Sequence, residues 1–354
     1  MSLPGDKRRI EWDRGSAEVW ALSGAIHRLE LALPDGRPIR PLAEAPWQGE
    51  NETTSDATIP PHLRFLGGEW PCVPFGRTDI DPVAHGYGTD NVWAFGSGAG
   101  DIEGDKTATS TPDPSPQGGG ETSALPPSSL RGGVGGGGHE VTGITLSIAY
   151  PSNHPIARLT RTIRGVAGEA RVDFALTVEA RAACTLPVGL HPILALGKPG
   201  EVVRVAGVFG HGETFPIVFE PGVSRLAPAA RFSAMAALPL AARGAVSFGA
   251  LLNETTEEAF QLFGVDGALR VAFPDSGYAV RLNWNPVDFP TCLFWLSTGG
   301  RLNKPWNGRF RGFGVEPLNA GFAEKNGAGV IAGGRSFLAG ESWTTHYALA
   351  IEPL

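Results

Sequence analysis

Sulfur and charge are scarce in this chain. Of its 354 residues, three are cysteine (Cys72, Cys184 and Cys292) and two are methionine. The cysteines lie far apart, their number is odd and no CxxC pair occurs. That argues against a disulfide framework and leads to an expectation of three buried thiols in a reducing compartment. Charged residues make up 18% of the chain, below the roughly 25% usual for soluble domains. The net charge of −7 comes without the clustered Lys and Arg of a nucleic-acid binder, so no nucleic-acid partner is expected. No stretch approaches the ~18 apolar residues that span a bilayer, so no membrane partner is expected either. The N-terminal Met-Ser-Leu-Pro-Gly-Asp-Lys-Arg-Arg runs into polar sequence with no apolar core of a secretory signal, and the expected location is the cytoplasm.

What is abundant is hydrophobic residue, at 42%, together with 49 Gly and 30 Pro. The first supplies a sizeable core; the second favours many turns and short strands over long helices. Residues 16–33 read as two short strands closed by the turn Pro34-Asp35-Gly36. Residues 59–95 are dense in Pro, Gly and aromatics and read as irregular loop with brief strands. Regular alternation begins after 141, at 144–150, 157–163 and 170–179, with turns at 151–153 and 165–168. Further strands are expected at 201–208, 260–264, 268–273, 277–284, 291–297, 310–315 and 344–352, with a short helix at Asn253–Phe260. This census predicts an all-β chain, a sandwich or barrel, built as a single domain over residues 1–354. Residues 97–139, rich in Gly, Pro and Ser, read as a flexible insertion in a surface loop, because they carry too little apolar surface to offset the entropy of ordering. Their glycines lack the GxxxxGK[ST] pattern and strand–helix context of a phosphate cradle. Deleting residues 100–137 is expected to leave the fold intact.

Two segments set a titratable residue before a proline in apolar surroundings: Gly-Leu-His-Pro at 189–192 and Gly-Val-Glu-Pro at 314–317. Proline cannot donate to a strand ladder, so both read as strand ends or edges. A histidine and a carboxylate suffice to place one proton and remove another near neutral pH. His191 could instead be a core histidine bonded to backbone. Glu316 could be paired with Arg309 or Arg311, which would keep it ionised. The loop Gly67–Arg77 and the run His85–Trp93 mix Trp, Asn, Asp, Arg and His, residues suited to sugar rings and hydroxyls. Trp70, Trp93 and Trp306 are candidate stacking platforms or ordinary core tryptophans. His85, His191 and Glu316 could also ligate a metal, but no HxxxH or HExxH spacing supports one. A serine hydrolase lacks its GxSxG elbow.

Together these segments resemble the aldose 1-epimerase (galactose mutarotase-like) family. The resemblance is carried by His85-Gly86 with Trp93 following, Gly-Leu-His-Pro at 189–192, Gly-Val-Glu-Pro-Leu-Asn at 314–319 and the C-terminal Leu-Ala-Gly-Glu-Ser-Trp at 338–343. It covers most of the chain outside 97–139. It implies a large twisted antiparallel β-sandwich of the galactose mutarotase-like supersandwich type and an isomerase that interconverts sugar anomers without cofactor or metal. In that reading His191 protonates the ring oxygen and Glu316 takes the anomeric proton. His85, Arg77, Trp70, Trp93, Trp306 and Asn307 would line the sugar site. Pro192-Ile-Leu-Ala-Leu replaces the aromatic-rich stretch usual after the histidine, and Trp-Pro-Cys-Val-Pro-Phe-Gly-Arg77 stands where a Gly-Arg-Asn segment is usual. Asp266, Asp275 and Asp288 are all candidates for the family's substrate-binding aspartate. The expected partner is a small sugar, free or phosphorylated, and the expected assembly a monomer or homodimer. Two other readings stay open: a carbohydrate-binding protein without turnover, and a lyase or hydrolase on a related sandwich. The latter needs a second carboxylate or a tyrosine near Glu316, with Tyr87 the tyrosine of interest.

Overall fold

In the computed structural model, residues 5–96, 143–322 and 331–354 are described; the insertion expected at 97–139 lies outside them. Two eight-stranded antiparallel sheets dominate. The first runs, in order, 204–206, 268–273, 278–284, 342–353, 171–180, 156–165, 143–149 and 94–95. The second runs 231–232, 211–214, 257–263, 291–298, 311–318, 189–190 and 71–72, with 193–195 also paired to 311–318. A smaller four-stranded sheet holds 7–12, 15–20, 26–32 and 38–39. The expectation of an all-β antiparallel sandwich is met.

Strict alternation explains the first sheet. Along Arg171–Ala180 every second residue (Val172, Phe174, Leu176, Val178, Ala180) is buried, and the residues between them are half-buried. That is the signature of a strand with one face on the core. The central strands of the second sheet differ, because both faces are covered. All eight residues of Thr291–Thr298 are buried, as are seven of the eight of Arg311–Leu318. Cys292, Phe294 and Leu296 join Phe313 and Val315 in the main core between the sheets. Leu293 and Trp295 face the other way, into a second apolar cluster with Trp47, Trp70, Phe75, Trp306 and Phe310. A sheet with two buried faces must have something laid over its outer side, and here loops do so.

The turn at 34–36 forms as its chemistry dictates. Gly36 adopts φ 84°, Arg37 N–H donates to the Asp35 carboxylate at 2.9 Å, and Leu33 N–H donates to Arg37 O at 3.0 Å. The helix expected at Asn253–Phe260 does not form. A single helical turn stands earlier, at Phe248–Leu251, capped by Ser247, and Glu257–Phe263 is a central strand paired along Thr291–Ser297. Its unbroken run of burial has no polar face, so helical periodicity was absent and tertiary pairing decided. The strand expected at 201–208 shrinks to Arg204–Ala206. The thiols are free as expected; Cys72 and Cys292 are buried, but Cys184 is only half-buried.

Candidate functional site

The outer face of the second sheet carries the candidate site. Register places Leu293 opposite Glu316 and Trp295 opposite Gly314 on neighbouring strands. Next to them, Ile193 pairs with Gly314 and Gly189 with Leu318, which sets His191 beside Glu316. His191 sits where the ladder breaks between Gly189–Leu190 and Ile193–Ala195, the break that Pro192 predicts. Its backbone N–H instead donates to Trp70 O at 2.9 Å, fastening the 67–72 segment alongside.

His191 Nε2 lies 3.4 Å from Glu316 Oε1, and both side chains are almost fully buried. The imidazole stacks on Trp70 at 4.2 Å and 13° and meets the edge of His85 at 4.9 Å and 89°. Gly314 makes room for the carboxylate: a Cβ there would collide with Glu316 Oε1. His85 is held by a sharply turned loop, with φ 68° at His85 and 83° at Gly86. A Cβ on Gly86 would strike Val73 O, so glycine is required there on both counts.

These residues line a cavity of about 210 Å³. His62, His85, His191, Arg301 and Glu316 supply its polar groups, and Trp70, Phe75, Trp295, Trp306 and Phe322 much of its apolar wall. That volume lies below the 300–1,000 Å³ of drug-sized sites and suits a small ligand. Four of its lining atoms are buried and have no hydrogen-bond partner: Trp70 Nε1, His85 Nδ1, His191 Nδ1 and Glu316 Oε1. Buried polar atoms are almost always paired in native proteins, so these four are free to pair with water or a polar ligand in the cavity.

Burial also sets the protonation of the pair. It holds the His191 imidazole well below its usual 6.5, helped by neighbouring His85, and pushes the Glu316 carboxyl well above 4.5. His85 is pushed down to about 3, chiefly by burial and then by His62. Both shifts favour the uncharged forms, a neutral imidazole and a protonated carboxyl. The arginines named from sequence do not pair with Glu316: Arg309 is bound to Glu50 at 2.5 Å on the surface, and Arg311 donates to Leu252 O. The expectation that they keep the carboxylate ionised is overturned, since desolvation goes unopposed.

The structure gathers some of the sequence candidates and disperses others. His85, His191, Glu316, Trp70 and Trp306 line the cavity. Trp93 is in the main core, its Nε1 donating to Gly88 O at 2.8 Å. Arg77 is exposed, and Asn307 is an exposed turn residue at φ 46°; neither lines the cavity. Asp288 accepts from Thr345 and Trp343, Asp275 from Val202 N–H and Asp266 from Ala268 N–H, all away from the cavity. Tyr87 packs on Tyr150 at 5.1 Å. Glu316 is the one carboxylate lining the cavity among the described residues.

Sequence reasoning passed over His62, Phe75, Trp295 and Arg301. Trp295 was in a strand expected from sequence, and its alternation with Phe294 and Leu296 carried the signal of a second buried face. Arg301 offered no local signal. Its Nε lies 3.2 Å from Glu220 and 3.8 Å from Glu257, and its guanidinium 4.9 Å from the Trp306 ring. Glu257 also accepts from Ser297 Oγ at 2.5 Å and Trp295 Nε1 at 3.3 Å. Burial, partly offset by Arg301, pushes its carboxyl up to about 7. Among the described residues no group of three or more His, Cys, Asp or Glu is placed to hold a metal ion, and no helix is long and apolar enough to cross a membrane.

No protein-family profile matches the chain, and no curated protein matches it by sequence. Solved structures do match in fold. A galactose 1-epimerase from Lactobacillus acidophilus NCFM aligns at TM-score 0.56 and 16% identity, over 98% of this chain and 94% of its own. A candidate aldose 1-epimerase from Escherichia coli K12 aligns at 0.57 and 14%, over 99% of both chains. A galactose mutarotase-like protein from Lactobacillus casei ATCC 334 aligns at 0.54 and 13%, over 98% and 100%. Sequence kinship at this level speaks to architecture, and the architecture agrees along essentially the whole chain: this protein has the galactose mutarotase-like β-sandwich fold.

Proposed function

We propose that this protein is an aldose 1-epimerase-like isomerase that interconverts the anomers of a small sugar with His191 and Glu316. The single observation that carries the reading is the buried His191–Glu316 pair, 3.4 Å apart, at the wall of a cavity ringed by unpartnered polar atoms. The likeness in fold to a galactose 1-epimerase supports it.

Anomer exchange needs a proton delivered to the ring oxygen and one taken from the anomeric hydroxyl; the ring opens, rotates about C1–C2 and recloses. A pair holding one proton supplies both functions. Desolvation favours that proton on Glu316. The productive form has it on His191, as acid, with Glu316 ionised, as base. Transfer across 3.4 Å interconverts the two, and a polar sugar in the cavity favours the charge-separated form by replacing lost hydration. Trp70, stacked against His191, fixes the plane of the imidazole, and Gly314 leaves the carboxylate its position. No cofactor enters this chemistry.

The test is exchange NMR of α/β anomers over a panel of free and phosphorylated aldoses, with wild type, Glu316→Gln and His191→Asn. Acceleration lost in both variants is expected. Full activity in either variant overturns the mechanism. A second reading, sugar binding without turnover, draws on the strongly apolar wall; it predicts binding without acceleration. A lyase or hydrolase reading loses support, because neither a second carboxylate nor a tyrosine lines the cavity among the described residues.

A further inference from the structure

His62, His85 and Arg301 are the polar residues of the cavity wall outside the acid–base pair. His62 stands on the short helical turn Pro61–Arg64, laid over the sheet, and its ring meets His85 edge-on at 5.8 Å. Asp90, 28 residues later, accepts twice with the same oxygen: from His62 N–H at 3.0 Å and from His62 Nδ1 at 2.7 Å. Burial works against the Asp90 charge, but its hydrogen bonds with His62 outweigh it and hold the carboxyl below its usual range. An ionised carboxylate only accepts, so Nδ1 must carry the hydrogen. Nε2 is then the ring nitrogen left for a ligand, accepting through its lone pair when the ring is neutral, and among the described residues it has no hydrogen-bond partner. His85 and His191, by contrast, leave Nδ1 unpartnered, so His62 is the one imidazole of the three whose tautomer a protein carboxylate sets.

We propose that His62, clamped by Asp90, is a further ligand-contacting residue that accepts a hydrogen bond from one hydroxyl of the bound sugar and so selects sugars carrying that hydroxyl. The inference rests on the reading of the cavity as a sugar site, but not on turnover. Rigid acceptors discriminate well: an analogue lacking the hydroxyl leaves a buried nitrogen unpaired. The polar wall is sparse, so each fixed acceptor carries a large share of recognition. A carboxylate clamp on the far ring nitrogen also strengthens the acceptor, because it stabilises the positive charge that builds on the ring.

A chemical double-mutant cycle tests this. Dissociation constants are measured by titration calorimetry for the tightest-binding sugar and its monodeoxy analogues, on wild type, His62→Phe and His62→Gln. In wild type one monodeoxy analogue should bind about 10-fold or more worse than the parent. In His62→Phe that same analogue should lose nothing relative to the parent. His62→Gln, which keeps an acceptor near Nε2, should restore part of the discrimination. A residue that merely staples the turn to the loop would weaken all sugars alike. Additive losses in His62→Phe therefore overturn the proposal even if anomer exchange is accelerated. Coupling with no acceleration sustains it while the isomerase reading fails. Failure of any sugar to bind wild type overturns both. Should His62→Phe not fold, His62→Leu carries the same cycle.

Discussion

Two buried carboxylates sit on either side of the Trp70 segment and are treated in opposite ways. Glu69 has both carboxylate oxygens partnered: Arg161 and the Tyr347 hydroxyl each donate to it, Arg161 also donates to Tyr347 at 2.8 Å and to Gly24 O at 2.5 Å, and only Arg161 Nε is left unpaired in the cluster. That network ties the Trp70 loop and the 21–25 turn to the first sheet. Burial raises the Tyr347 hydroxyl well above 10; on Arg161 burial works against the charge but Glu69 prevails and raises it. Glu316 is as deeply buried but has no counter-charge beyond a histidine that burial keeps neutral, and one of its oxygens has no partner. A buried charge left without its partner is costly, and a buried group with a perturbed pKa in a cleft is a functional-site candidate. Glu316, at the cavity, is of the second kind.

The strongest way to break that comparison is to neutralise each acid in turn. Glu316→Gln should lower anomer exchange by about 10²–10⁴-fold and leave the protein folded. Glu69→Gln should instead cost about 3–5 kcal/mol in denaturant unfolding, because Arg161 is left buried and uncompensated. If Glu69→Gln unfolds as wild type does, the structural half of the contrast fails.

Linkage sharpens it. Glu316 titrates in the folded state above its unfolded 4.5. Between those values the unfolded chain has released a proton that the folded chain keeps. Stability contributed by Glu316 is therefore present below pH 4.5 and lost as pH rises through the folded value. Glu316→Gln should accordingly be more stable than wild type at neutral pH, with the gap closing below pH 4.5 in a series of unfolding titrations. His191 works in the other sense: its folded value lies below 6.5, so its contribution is present above pH 6.5 and lost as pH falls. The same directions predict a bell-shaped kcat/KM. Its acid limb lies below pH 6.5, where His191 gains a second proton for the pair, and its alkaline limb lies above pH 4.5, where Glu316 loses the only one. An acid limb centred above pH 6.5 would refute the burial argument.

Gly314→Ala is a smaller perturbation of the same site. The added methyl collides with the Glu316 carboxylate, which must swing away from His191. Exchange should fall about 10-fold or more, with a stability loss of about 1–3 kcal/mol. Arg77→Ala should do least. The side chain is exposed and does not line the cavity, so stability should stay within about 0.5 kcal/mol and sugar affinity should change little by calorimetry.

Much of the fold was legible because its signals are local. The alternation at 144–179 and 268–284 became strands almost residue for residue, and Pro34-Asp35-Gly36 became its turn. The segment 253–260 misled because a strand buried on both faces shows no alternation to distinguish it from a helix. Within the site, His191 and Glu316 were legible as polar residues in apolar strands ending at proline. His62 and Arg301 were not: each reaches the cavity from a turn or loop that no neighbouring residue announces. Trp93 and Trp306 carried the same promise in sequence, yet one fills the core and the other lines the cavity.

The amino-acid sequence by itself determined the strand class, the turns, and the presence of a histidine and a glutamate at strand ends, because periodicity, glycine and proline act through bonds and neighbouring residues. Only the tertiary structure decided which charges would be satisfied. Glu69 finds Arg161 across 92 residues and Tyr347 across 278, whereas Glu316 finds a histidine in a largely apolar wall. Desolvation and pairing depend on what the folded chain brings within a few ångströms, and sequence spacing carries no record of that.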